Sequence, residues 1–223
     1  MSLVVLVTGA ARGLGLEFVR QLSEAGYVVV AAVRSPEGSA ELQKLANNKK
    51  IHTLYFDIVE TESVEAAMEQ ARKIAPGGID ILINTTWIFD PRSVNVGTSM
   101  SGAVETTMAF RELLHKANTR KVINVSSSLG CTAPFKNTGD NSKGYCATKA
   151  GENLLTSFLA STLQVDEFTV ITINPGWVQN AMGTEITPLK PAESVSCMLK
   201  VISNVTVEDS GAFFDYTGDK LLW

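Results

Sequence analysis

Seven short runs rich in β-branched and apolar residues punctuate this chain, and stretches of helical length separate them. The runs are LVVLV (3–7), YVVVAAV (27–33), IHTLYF (51–56), IDILIN (79–84), KVINVS (121–126), FTVITI (168–173) and GAFFDY (211–216). They are nearly continuous in apolar character, the signature of parallel strands covered on both faces. Helical patterns lie at about 13–25, 37–47, 61–75, 99–117, 144–164 and 192–203. Regular strand–helix alternation demands right-handed crossovers and a doubly wound α/β sheet with helices on both faces. No linker, repeat or low-complexity segment interrupts it, so residues 1–223 are expected to form one domain.

The first run leads into TGAARGLG, where Gly9, Gly13 and Gly15 open a helix whose apolar face is Leu14, Phe18 and Leu22. Backbone amides at a helix N-terminus receive a pyrophosphate, and a β-carbon there would obstruct either the phosphates or the neighbouring strand. The fold expected is therefore a Rossmann-type parallel sheet of about seven strands, binding a dinucleotide. No Gly-Lys-Ser/Thr follows, which excludes a mononucleotide P-loop. The second strand ends in AAVRSP, without the acid that would hold a ribose 2′-hydroxyl. Arg34 stands there instead, with Arg12 in the glycine turn, so NADP is favoured over NAD unless both arginines are simply solvated. Asp57 either accepts from an adenine amino group or serves as a turn aspartate.

Composition narrows the function classes. The net charge of −4 and the lack of a basic stripe speak against nucleic acid as a partner. No apolar run nears the roughly 20 residues that span a bilayer. The N-terminal apolar run has no basic segment before it and reads as a strand, not a signal peptide. Three widely spaced cysteines, Cys131, Cys146 and Cys197, form no disulfide framework and suit a reducing cytoplasm. The sequons at Asn84, Asn124 and Asn204 carry no meaning without a secretory signal, and the first two fall at strand ends. With two histidines and neither H-E-x-x-H nor G-x-S-x-G, a zinc site and a hydrolase triad are both disfavoured.

In GYCATKAGEN, Tyr145 and Lys149 are four residues apart and share a helix face. A lysine so placed stabilises a phenolate and lets the tyrosine exchange a proton near neutral pH; the plain alternative is an amphipathic tyrosine beside a solvated lysine. The ordered set TGAARGLG, FDI, ILIN, INVSSSLG, YCATKAGEN and NPGWV resembles the short-chain dehydrogenase/reductase family over nearly the whole chain. The G-x-x-x-G-x-G spacing resembles its single-domain branch. The ending, GAFFDYTGDKLLW, is similar to that of the C-factor and sniffer-like carbonyl reductases.

The resemblance implies an NADP(H)-dependent oxidoreductase acting on a small, apolar carbonyl or alcohol. Tyr145 would be the general acid/base and Lys149 its tuning cation and ribose ligand, while Ser127, three before Gly130, would polarise the substrate oxygen. The cofactor would lie along Gly9, Arg12, Gly13, Leu14, Gly15, Arg34, Asp57, Ile58, Asn84, Tyr145, Lys149, Pro175, Gly176 and Val178. Family members commonly pair through their two long helices, which implies a homodimer that covers Met108, Leu155 and Phe158.

Several positions depart from the family pattern. Asn84-Thr85-Thr86-Trp87 replaces Asn-Asn-Ala-Gly, and Trp87 lines the substrate pocket, partly fills the nicotinamide site or packs in the core. The family's catalytic asparagine falls on Ser99, with Asn95 close enough to shift the register. Asn180 replaces a threonine. Trp87, Phe89, Trp177, Met182 and the 184–191 loop are the candidate pocket walls, with Cys131 and Phe135 at the entrance or packed in their loop. Two other readings stay open: a C-factor-like signalling protein that binds cofactor with little turnover, and a tailoring enzyme using the same fold for non-redox chemistry.

Overall fold

A computed structural model describes residues 2–37, 39–58, 60–85, 101–132, 143–179 and 189–223. Its strands are β1 (Val4–Val7), β2 (Val28–Val33), β3 (Ile51–Tyr55), β4 (Ile81–Asn84), β5 (Lys121–Val125), β6 (Thr169–Asn174), β7 (Phe213–Asp215) and β8 (Lys220–Leu221). The helices are α1 (Gly13–Glu24), α2 (Ala40–Leu45), α3 (Thr61–Ile74), α4 (Gly102–Lys116), α5 (Lys143–Leu163) and α6 (Pro191–Asn204). The strands form one sheet in the order β3-β2-β1-β4-β5-β6-β7-β8, parallel through β7. The chain leaves β1 towards β2 on one side and β4 on the other, so the strand order reverses between β1 and β4. In such sheets the crevice beyond the carboxyl ends of those strands is where ligands bind.

Alternation within each strand separates two cores. Val5, Val7, Ile81, Ile83, Ile123 and Ile171 face α1 and α6 through Phe18, Leu22, Met198 and Ile202. Leu6, Leu82, Val122 and Val170 face α3, α4 and α5 through Met68, Phe110, Leu113, Leu159 and Leu163. Burial on both faces is why the strands read as unbroken apolar runs.

The sheet has one strand more than the seven expected. β8 pairs antiparallel with β7, Phe213 opposite Leu221 and Phe214 opposite Lys220. Two residues carry no periodic signal of their own. This hairpin is made by its turn, where Gly218 has φ +100° and its amide donates to the Asp215 carbonyl at 3.0 Å. The helix expected at about 37–47 is shorter, Ala40–Leu45. On α5 the strongly exposed leucine is Leu154 (70 %), whereas Leu155 is half-buried, which corrects the face assigned from sequence.

Candidate active site

The glycine turn is held from two sides. The Thr8 amide donates to the Ile83 carbonyl (3.0 Å) and the Ala10 amide to the Ala32 carbonyl (3.1 Å), tying the turn to β4 and β2. Thr85 closes it from β4, its hydroxyl donating to the Thr8 carbonyl at 2.6 Å and its amide to the Thr8 hydroxyl at 3.2 Å. A β-carbon on Gly15 would lie 2.3 Å from the Gly9 carbonyl oxygen, and one on Gly9 would lie 2.8 Å from the Thr85 hydroxyl. Gly13 differs: φ is +59° and a β-carbon there would meet nothing within 4 Å. The turn is thus closed against the sheet at Gly9 and Gly15 and open at Gly13. Arg12 caps α1 with extended backbone and offers no side-chain acceptor to the first-turn amides. Amides left in this way, with the positive end of the helix dipole behind them, suit an anionic diphosphate. Leu14 is half-buried and packs on the α1 core.

Arg12 and Arg34 are exposed, and neither has an ion-pair partner among the described residues. Because β1 and β2 are paired and Ala10 is bonded to Ala32, both arginines sit at the same end of the sheet. Asp57 follows β3; its amide donates to the Ser63 hydroxyl oxygen at 3.0 Å and its carbonyl accepts the Glu60 amide at 3.1 Å. Ile58 packs against the second core. The Asn84 side chain is engaged inside the protein. Its amide donates to Asn124 Oδ1 (2.9 Å) and the Ala103 carbonyl (3.4 Å), and its Oδ1 accepts from Thr8 (3.3 Å). Asn124 in turn donates to the Thr156 hydroxyl at 3.0 Å, so a polar strut runs from β1 through β4 and β5 to α5.

Ser127, half-buried beyond the end of β5, accepts the Leu129 amide at 3.2 Å and caps the short 3-10 turn Ser128–Gly130. That turn is fastened on both sides. The Ser126 hydroxyl bonds Asn153 Oδ1 of α5 at 2.6 Å, and the Ser128 amide donates to Asn174 Oδ1 of β6 at 3.2 Å. Tyr145 lies half-buried in the first turn of α5, and Lys149 follows one turn later. The Lys149 side chain is almost wholly enclosed, at 2 % exposure. Its Nζ donates to Glu152 Oε2 at 2.6 Å and to the Val125 carbonyl at 3.3 Å. Burial works against the ammonium, but the charges of Glu152 and Tyr145 outweigh it and hold Lys149 above the ordinary lysine value.

Glu152 escaped the reading of the sequence. A glutamate three residues after a lysine on a helix ordinarily marks a solvated pair, and only packing reveals that both are buried. The neighbouring asparagines, Asn124, Asn153 and Asn174, were equally silent, because polar residues in apolar runs announce burial only once their partners are known.

Beyond β6, the Pro175 carbonyl accepts the Ser194 hydroxyl at 2.6 Å, and Val178 bridges to Leu189. Gly176, at φ +78°, is pressed between Leu189 and Tyr216, where a β-carbon would lie 2.8 Å from each. Trp177 projects outward at 73 % exposure. Cys131 is buried, and burial pushes its thiol up. Ser99, Trp87, Phe89, Asn95, Phe135, Asn180, Met182 and residues 184–188 lie outside the described residues. Among the described residues no group of His, Cys, Asp and Glu side chains is arranged to hold a metal, and no helix is long and apolar enough to cross a membrane.

Comparison with known proteins agrees with this geometry. Residues 3–190 match the family model for short chain dehydrogenases. An uncharacterized oxidoreductase of Schizosaccharomyces pombe is 33 % identical, with 96 % of each chain covered. The C-signal protein of Myxococcus xanthus is 29 % identical over 69 % of this chain and 98 % of its own. Among solved structures, the carbonyl reductase of chicken fatty liver, in its NADPH-bound form, superposes with a TM-score of 0.89 at 29 % identity, covering all of both chains. The Sniffer carbonyl reductase of Drosophila melanogaster gives a TM-score of 0.89 at 26 % identity, again over all of both chains. A glycine turn at the β1/β4 switch point, a serine beyond β5 and a Tyr-x-x-x-Lys helix beside it thus belong to an oxidoreductase of the short-chain dehydrogenase family.

Proposed function

We propose that this protein is an NADPH-dependent reductase, or the corresponding dehydrogenase, of a small apolar carbonyl or alcohol, with Tyr145 as the general acid/base. The observation that carries this reading is Lys149, a buried ammonium one turn from Tyr145 on the same helix and close enough for the two charges to interact. A chain that only bound a dinucleotide would need no proton donor beside that cation.

The residues present fit the cofactor. The open side of Gly13 and the uncapped first turn of α1 would take the diphosphate, and Arg12 and Arg34 a 2′-phosphate. When bound, NADPH supplies the hydride. The protein's part is proton management and positioning. Tyr145 gives its phenolic proton to the carbonyl oxygen in reduction and recovers one from the alcohol in oxidation. Lys149 stabilises the phenolate left behind. Ser127, whose oxygen already accepts the Leu129 amide, keeps its O–H to donate to the substrate oxygen. Trp177, exposed next to Gly176, supports an apolar substrate at the mouth. Three free cysteines, two of them buried, support a reducing compartment.

The test is NADPH oxidation across aldehydes, ketones and quinones, repeated with Tyr145→Phe. Turnover should disappear in the variant while NADPH affinity stays within about twofold, since only the proton is lost (twofold is about 0.4 kcal/mol). Wild-type rates in Tyr145→Phe would assign the proton to another group. A second reading, a signalling protein with little turnover, is supported by the likeness to the Myxococcus C-signal. It prevails if NADPH binds and no carbonyl in the panel is reduced.

A further inference from the structure

We propose that Glu152 is a positioning residue that acts through Lys149: its buried carboxylate aims the Lys149 Nζ and keeps it cationic beside Tyr145. The proposal rests on Tyr145 and Lys149 acting as described above. Both members of the pair are 2–3 % exposed, and the contact is 2.6 Å. Among the described residues the only other acceptor for Nζ is the Val125 carbonyl, at a longer 3.3 Å. A neutral carbonyl cannot balance a charge taken out of water, so an enclosed lysine without an anion loses its proton.

Among the described residues the surroundings leave this task to Glu152. β6 and the Ser128–Gly130 turn bring no titratable side chain to α5, and on β5 Lys121 reaches instead to the Ile202 and Ser203 carbonyls. On α4, Arg111 and His115 turn to Asp166, Glu112 pairs with Arg72 and Lys116, and Glu105 takes the Ser101 hydroxyl. Asp166, which follows α5, is committed to Arg111 and His115. Among the described residues Tyr145 is the remaining titratable group whose charge reaches Lys149. The Glu152 carbonyl also accepts the Thr156 hydroxyl at 2.8 Å, joining this turn of α5 to the Asn84–Asn124 strut.

The experiment follows Lys149 itself. In the full chain labelled at lysine Cε, with and without NADPH, the Lys149 resonance is titrated in wild type, Glu152→Gln and Glu152→Asp, each checked for folding by circular dichroism. Wild-type Lys149 should remain protonated beyond the ordinary value of about 10.4. In Glu152→Gln the proton should leave about two units earlier or more, buried lysines moving by up to about 3–5 units. Glu152→Asp should retain it. With less cation beside it the Tyr145 phenolate is less stable, so the Tyr145 limb of the rate–pH profile should move up by about one unit in Glu152→Gln and stay in place in Glu152→Asp. A glutamine variant whose lysine and limb do not move would overturn the proposal, as would a limb that moves down, or an aspartate variant that behaves like glutamine. Should Glu152→Gln fail to fold, a wild-type Lys149 already neutral below the ordinary lysine value overturns it, and retention of the proton in both wild type and Glu152→Asp sustains it. The resonance is read without substrate, so a chain that reduced nothing would refute the enzymatic reading and still report on Glu152.

Discussion

Gly130 rests directly on the main chain of Lys149: a β-carbon on Gly130 would stand 2.6 Å from the Lys149 carbonyl carbon and 2.8 Å from the Ala150 amide. The turn that carries Ser127 therefore packs against the helix that carries Tyr145 and Lys149 with no room for even a methyl group. Gly130→Ala should push the two apart, at the 1–3 kcal/mol typical of overpacking (about 2 here). A displacement of this kind is felt most by groups that must meet on one oxygen atom, so kcat should fall at least about tenfold. Thermal melts and steady-state rates on the same samples check both halves. Unchanged rates would mean that Ser127 and Tyr145 do not act on the same atom.

If the protein is the NADPH-dependent enzyme we propose, its cofactor choice rests on Arg12 and Arg34, which have no ion-pair partners among the described residues. NADPH should bind at least tenfold more tightly than NADH, about 1.4 kcal/mol. Arg34→Asp should erase or reverse the preference by replacing a phosphate ligand with an anion. Fluorescence titration of wild type with both cofactors decides it, equal affinities counting against the 2′-phosphate clamp.

Ser127→Ala should lower kcat by about 10²–10³, the usual cost of one donor aimed at a reacting oxygen. Combined with Tyr145→Phe it should add little, because groups that serve one proton transfer act as a unit. Rates of the two single variants and the double, measured on the best carbonyl of the panel, form the cycle. Fully multiplicative losses would show that Ser127 works apart from Tyr145.

Leu154 and Phe158, one turn apart on α5, are 70 % and 67 % exposed. Met108 of α4 is exposed as well. Exposed apolar side chains on the two long helices are what a paired copy would cover. We expect a homodimer, and Leu154→Glu with Phe158→Glu should give a monomer by light scattering at micromolar concentration. A wild-type monomer at that concentration would remove the helix-paired dimer from consideration.

Much of this protein is written in local pattern. Apolar runs buried on both faces mark β1 to β7, the glycines at 9, 13 and 15 mark the turn that opens into α1 and its first residues, and the four-residue step from Tyr145 to Lys149 marks a shared helix face. Each of these depends on the conformation of a few neighbouring residues, so a short window of sequence contains it. The tertiary structure decided the rest. Glu152 became a buried partner of Lys149 because α5 packs on β5 at that turn, a contact between segments more than twenty residues apart. Asn84 turned inward as a strut because Thr8 and Asn124 arrive on either side of it from adjacent strands. β8 exists because β7 offers it an edge, and Leu154 rather than Leu155 faces outward because of how α5 is rotated on the sheet. Burial, and with it the charge state of an ionisable group, is set by what the rest of the chain brings alongside; no window around Lys149 contains that.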